Sequence, residues 1–202
     1  MFEHFNLYLF SVLNAQSGLA GWRLSGAVFA AEWLILLVPL FLVLLWMSGN
    51  TTEREAAVRA AASTGVALAI NAACGLLWFH PRPFMDRVGH TFMHHAADSS
   101  FPSDHATIMF TVALVLASGQ GELARKLGNV LFPVALVVAW SRVFLGVHYP
   151  MDMVGALAVA LGMTSLSNTR AVAALCAALV PFVESVYRRV LAMPIARGWL
   201  RP

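Results

Sequence analysis

Two stretches of this chain are long enough and apolar enough to cross a membrane. Ala60 to Phe79 carries no charged side chain, and Leu24 to Met47 carries one, Glu32. Each reaches the roughly 20 residues that a helix needs to span a hydrocarbon core about 30 Å thick. In that medium the backbone amides of a segment must be satisfied internally, so both stretches are expected to be helices.

The remaining apolar runs extend the pattern. Of 202 residues 59% are apolar and only 11% charged, and the mean hydropathy is +0.73, values that belong to membrane proteins. Ala106 to Ser118 is short, but its neighbours require it to cross. Leu127 to Trp140 runs on into Val147, Met151 to Ser167 forms a fifth run, and Ala171 to about Val190 a sixth. The expectation is an all-α, polytopic membrane helical bundle of about six transmembrane helices, with residues 1–202 forming one domain. Before the first span, Leu7 to Leu13 is apolar, but no Lys or Arg precedes it and Glu3 does, unlike a signal peptide. Residues 1–20 therefore read as an amphipathic helix at the interface, with Phe2, Phe5 and Leu9 towards lipid.

Net charge is +3, yet twelve of the thirteen basic residues are arginines scattered at span ends and in polar clusters. Without a basic stripe, nucleic acid is not an expected partner. Cys74 and Cys176 fall inside predicted spans and read as small buried apolar side chains.

The longest polar stretch, His80 to Asp104, must lie outside the hydrocarbon or line a cavity. Counting crossings puts Arg82, His105 and His148 at one membrane face. Arg54, Arg59, Arg125, Lys126 and Arg170 fall on the other, which the positive-inside rule makes cytoplasmic. Arg188, Arg189, Arg197 and Arg201 fit that assignment only if the last helix is partial or interfacial.

The chemistry is concentrated in three clusters. In Ser141-Arg142-Val143-Phe144-Leu145-Gly146-Val147-His148-Tyr149-Pro150-Met151-Asp152, the carboxylate follows the histidine by four residues and Pro150 opens the next helix between them. That spacing lets Asp152 take one imidazole N–H and leaves the other nitrogen free to attack; a helix-capping aspartate beside a surface histidine fits the two residues as well. Arg142 stands at the mouth of an apolar span, where an unpaired cation is costly. Arg82 is held between Pro81 and Pro83, in an extended segment that loses little entropy on binding. Pro102-Ser103-Asp104-His105 precedes an apolar run, so its amides can face an anion as helix N-termini do, or Ser103 or Asp104 can cap the helix. Two arginines and two histidines gathered at one face suit phosphoryl transfer, in which electrostatic stabilisation and positioning do most of the catalysis.

These motifs, in this order between apolar spans, resemble the type 2 phosphatidic acid phosphatase superfamily over roughly residues 70 to 160. The resemblance implies that His148 is the nucleophile and forms a phosphohistidine, that Asp152 orients it, and that His105 is the general acid. It also implies phosphate binding by Arg82, Arg142 and Ser103, with Asp104 in the same turn, and no metal or other cofactor. Two positions depart from the family pattern. Its lysine, seven before Arg82, is Gly75 here, so another group would take its part: His80, Arg87 or a histidine of the 90 to 95 stretch. The glycine of the second motif is Asp104, which would weaken phosphate binding unless its side chain turns away.

Phe101-Pro102-Ser103-Asp104-His105, Arg82-Pro83-Phe84 and His148-Tyr149-Pro150-Met151-Asp152 look most like the bacterial undecaprenyl-diphosphate phosphatase branch. That branch implies a multi-pass inner-membrane hydrolase with its active-site loop, residues 80–104, outside the cytoplasm. It would recycle the cell-wall carrier lipid and raise tolerance to bacitracin. Phosphatidate or phosphatidylglycerophosphate phosphatase, vanadate haloperoxidase, and non-catalytic lipid binding or transport stand as alternatives. Glu32 is a further site candidate, as an acid inside a span. His90, His94 and His95 lack the further acid or thiol that a zinc site would need.

Overall fold

A computed structural model describes residues 2–48 and 50–198, without the side chain of Phe2. Helices follow the apolar runs: α1 (Phe2–Leu13), α2 (Gly21–Glu32), α3 (Leu37–Met47), α4 (Thr51–Leu77), α5 (Asp104–Ala117), α6 (Glu122–Phe144), α7 (Pro150–Ser167), α8 (Arg170–Val190) and α9 (Ala192–Ala196). The first expected span is broken, since a 3-10 turn at Leu34–Leu36 separates α2 from α3.

The shortest of the apolar runs lies at the centre. Helix α5 packs against α4, α6 and α7, and Met109, Val112, Ala113, Val115 and Leu116 are completely buried. At about 1.5 Å per residue its 14 residues make roughly 21 Å, less than the hydrocarbon thickness. Its neighbours enclose it, which explains why it is short and apolar on nearly every side. At Gly128 of α6 an added Cβ would strike the backbone amide of Ala117, so the absence of a side chain there lets the two helices meet closely.

Buried polar groups fix the helix ends. The Glu53 carboxylate accepts the amides of Leu123 and Ala124 at 3.0 and 2.9 Å, capping the start of α6 from another helix. Asn6 and Phe10 of α1 and Asn14 just after it recur every four residues on the buried face, while Phe5 and Tyr8 are exposed. Asn6 Oδ1 accepts the Met151 amide at the start of α7. Asn14 Nδ2 donates to the carbonyls of His90 and Phe144, and its Oδ1 accepts the His90 amide. The amphipathic helix expected at residues 1–20 is thus also a clamp over the loops beside it. Phe5 lies outward as expected and Leu9 is half-buried; the Phe2 side chain is outside the described residues.

Helix α8 is long and apolar enough to span, and several of its polar and aromatic contacts are with the end of the bundle where α4 begins. Cys176 shares a cavity with Thr52, Glu55, Arg59 and Gln120. Eight residues later, Glu184 receives Arg54 Nη1 at 2.6 Å, and Tyr187 packs on Trp46. All these partners lie in or beside the first turns of α4, at the end of the bundle where α3 ends and α4 begins. Arg188 follows Glu184 by one helical turn, with Nη2 3.9 Å from its carboxylate. Arg197 follows on after α9; Arg201 is outside the described residues.

Candidate active site

The loop after α4, the start of α5 and the turn joining α6 to α7 meet at the opposite end. His148 is the centre, 1% exposed. Gly146, at φ +79°, makes a turn that carries the chain from α6 into α7, and a Cβ there would run into the His90 carbonyl. Pro150 is the first residue of α7, and Asp152 Oδ2 accepts the Tyr149 amide at 2.8 Å. The same oxygen lies 3.1 Å from His148 Nδ1 and accepts a short hydrogen bond from Ser100 Oγ. Asp152 is therefore a helix cap and the partner of His148 at once, but the histidine beside the cap is buried, not at the surface.

With Nδ1–H directed at Asp152, His148 Nε2 presents its lone pair to the guanidinium groups. Arg82 Nη1 is 2.9 Å from Nε2 and Arg142 Nη2 is 3.5 Å away. Burial, then the charges of Arg142 and Arg82, hold the His148 pKa well below the usual imidazole value. Nε2 is consequently unprotonated and nucleophilic at neutral pH.

Each arginine is also held by protein groups other than His148. Arg82 Nε donates to Asp98 Oδ1 at 2.7 Å, Nη1 also to the Val147 carbonyl at 3.0 Å, and Nη2 to the Ser99 carbonyl at 3.3 Å. Arg142 Nη1 donates to the Ala31 carbonyl at 3.4 Å, beside the break between α2 and α3. Arg142 Nε and Ser103 Oγ are buried without a hydrogen-bond partner. Such groups are costly unless a ligand completes them, and an oxyanion would suit both.

Two expectations at the start of α5 are corrected. The Ser103 amide is already donated to the Asp152 carbonyl at 3.3 Å, so it is not offered to an anion. The Asp104 carboxylate, counted in the phosphate-binding turn, is drawn away by Asn71 Nδ2 at 2.8 Å. What Asp104 can offer a phosphate is its first-turn amide, since no side chain caps this helix. His105 makes no hydrogen bond among the described residues and is close enough to His148 for their charges to interact.

Of the groups considered in place of the lysine, His80 stacks near Trp78 and Tyr149, and Arg87 is exposed in a left-handed backbone conformation. His95 alone lies over His148, with 6.1 Å between ring centroids. Among the described residues no three metal-ligating side chains gather. Glu32 is exposed at the end of α2. Reasoning from sequence did not single out Ser100, buried between His148 and Asp152, or Asp98, which braces Arg82; both were visible only as members of a polar stretch.

Comparison with known proteins gives the family and the fold. The sequence pattern of the PAP2 superfamily matches residues 56–174. The chain is 42% identical over 202 residues, the full length of both proteins, to YbjG of Escherichia coli (strain K12), named provisionally as an undecaprenyl-diphosphatase. It is 40% identical over 135 residues, 66% of this chain and 67% of the other, to the undecaprenyl-diphosphatase BcrC of Bacillus subtilis (strain 168). The crystal structure of LpxE from Aquifex aeolicus shares the fold with a TM-score of 0.66 at 21% identity, covering 81% of this chain and 94% of that one.

Proposed function

The chain belongs to the PAP2 superfamily, and we propose that it hydrolyses undecaprenyl diphosphate to undecaprenyl phosphate through a phosphohistidine on His148. The observation that carries the chemistry is the His148 ring itself, with Nδ1 on Asp152 and Nε2 facing Arg82 and Arg142. The choice of lipid rests on the named relatives at 40% and 42% identity.

In the first step His148 Nε2 attacks the terminal phosphorus, and the bond from that phosphorus to the bridging oxygen breaks. His105, which the bound dianion favours in its protonated form, gives its proton to the departing lipid monophosphate. Arg82, Arg142, Ser103 Oγ and the Asp104 amide hold the non-bridging oxygens, whose charge redistributes in the transition state. Asp152 steadies the imidazolium that Nε2 substitution creates. In the second step water attacks the same phosphorus, gives a proton to His105, and displaces Nε2, leaving inorganic phosphate and a free histidine.

A cavity of about 560 Å³ supports a lipid substrate. It is lined by Leu68, Ala72 and Leu76 of α4 and by Phe79 just after that helix, and it reaches Arg82, so an apolar tail can lie in the bilayer while the diphosphate meets the arginine. We place this end of the protein on the extracytoplasmic side of the bacterial inner membrane. Arg54, Arg59, Arg125, Lys126 and Arg170 lie at the other end, and the packing of α8 keeps Arg188 and Arg189 with them.

The test of the substrate is phosphate release by detergent-purified protein from undecaprenyl diphosphate, phosphatidate and phosphatidylglycerophosphate. The highest kcat/KM is expected on the diphosphate. A higher value on either glycerophospholipid would reassign the substrate within the family.

A further inference from the structure

The reaction scheme leaves His95 without a part, although it lies in the site. Its ring is close enough to His148 and His105 for its charge to act on both. Nδ1 is 3.2 Å from the Ala96 carbonyl and 3.8 Å from Asp98 Oδ1, the oxygen that also receives Arg82 Nε. Nε2 has no hydrogen-bond partner among the described residues.

How His95 comes to be there follows from a residue that is absent. Seven positions before Arg82 the chain has Gly75, and a Cβ added to it would lie 3.2 Å from Ser99 Cβ and 3.5 Å from Ser99 Oγ. The 95–100 segment occupies the space that a side chain at position 75 would enter. Held there, it sends Ser100 to Asp152, Asp98 to Arg82, and His95 over His148.

We propose that His95 is the third basic ligand of the phosphate site, binding a phosphate oxygen through Nε2 in place of the lysine that Gly75 displaces. This rests on the phosphatase reading above. The exchange changes how the site responds to pH. Burial, then Arg82, and less strongly Arg142, push the His95 pKa down, against the Ala96 carbonyl and Asp98. The empty site therefore holds a neutral ring at pH 7, with Nδ1–H on Ala96 and a bare lone pair at Nε2. A dianion among Arg82 and Asp98 from the same loop, Arg142 from α6, His105 from α5 and His148 from the turn before α7 favours the protonated ring, which then donates from Nε2. Anion binding accordingly takes up a proton and tightens as pH falls. A lysine would be charged throughout and would give no such contribution.

The experiment measures binding of tungstate, a phosphate mimic that stays dianionic across the range used, to purified full-length protein. Wild type, His95→Ala and His95→Lys are compared at about pH 6 and about pH 8 by thermal shift, which requires no turnover. Wild type should bind several-fold more tightly at the lower pH. His95→Ala should bind about tenfold more weakly there, the loss of one charge-assisted hydrogen bond, and lose most of the pH dependence. His95→Lys should bind tightly at both values, with a flatter profile than wild type. Unchanged binding by His95→Ala, or His95→Lys binding no better than His95→Ala, overturns the assignment of His95 alone. Absence of tungstate binding by wild type would instead overturn the phosphatase reading on which it rests.

Discussion

Asp152 Oδ2 accepts from three donors, the Tyr149 amide, Ser100 Oγ and His148 Nδ1, and so sets both the tautomer and the direction of the nucleophile. Replacing it with asparagine keeps the size and removes the charge. Asp152→Asn is expected to lower kcat by about 10²-fold or more with little change in KM, because the interaction strengthens as imidazolium develops. An unchanged kcat would refute the orienting role. Ser100→Ala removes one of the three donors, and a smaller fall of about tenfold in kcat is expected, measured in the same assay. The pH dependence follows from His148, whose native pKa lies below the ordinary imidazole value of about 6.5. A group that must be unprotonated to attack loses activity only as pH falls through its native pKa, so the acidic limb of kcat/KM should lie below about pH 6.5. The unfolded chain takes up this proton more readily than the native one, so native stability should decline over the same acidic window. That His148, Asp152, Arg82 and Arg142 come together could be read from sequence because each motif is local and its residue types have few other uses in an apolar chain. Ser100 could not, since a serine becomes a hydrogen-bond partner of Asp152 only through a contact 52 residues long in sequence.

Gly75 couples helix α4 to the loop that follows it. Gly75→Ala should push Ser99 outward, loosening Asp98 from Arg82 and Ser100 from Asp152, and lower kcat/KM by roughly tenfold while thermal stability stays near wild type. Equal activity in the two proteins would show that the 95–100 segment is not held from that side. The cap on α6 can be tested through stability instead, as Glu53→Gln leaves two buried amides a poorer acceptor and is expected to cost about 1–2 kcal/mol, read as a lower Tm. Apolar spacing placed the helices within a few residues, since hydrocarbon thickness fixes length and turn residues fix the ends. It could not show the interruption at Leu34–Leu36, where every residue is apolar and long-range packing decides. The buried face of α1 was equally hidden: Asn6, Phe10 and Asn14 differ in polarity, and only their contacts with the 144–151 region and the loop at His90 unite them.

At the scale of the molecule, both chain ends pack along faces of the bundle, α1 beside the reaction centre and α8 at the opposite end. Hydropathy makes α8 apolar enough to cross, and we propose that the Arg54–Glu184 and Trp46–Tyr187 contacts hold its second half at the end of the bundle where α4 begins. Reporter domains fused to the C-terminus should therefore behave as cytoplasmic, with green fluorescent protein bright and alkaline phosphatase inactive. Active alkaline phosphatase there would mean that α8 crosses. Joining these levels is the claim that His148 carries the phosphoryl group. The most direct measurement is phosphate release from undecaprenyl diphosphate by detergent-purified wild type beside His148→Ala, with and without EDTA. Release that resists EDTA and disappears in His148→Ala is the predicted result. Release retained by His148→Ala, or abolished in wild type by EDTA and restored by added metal, would contradict it.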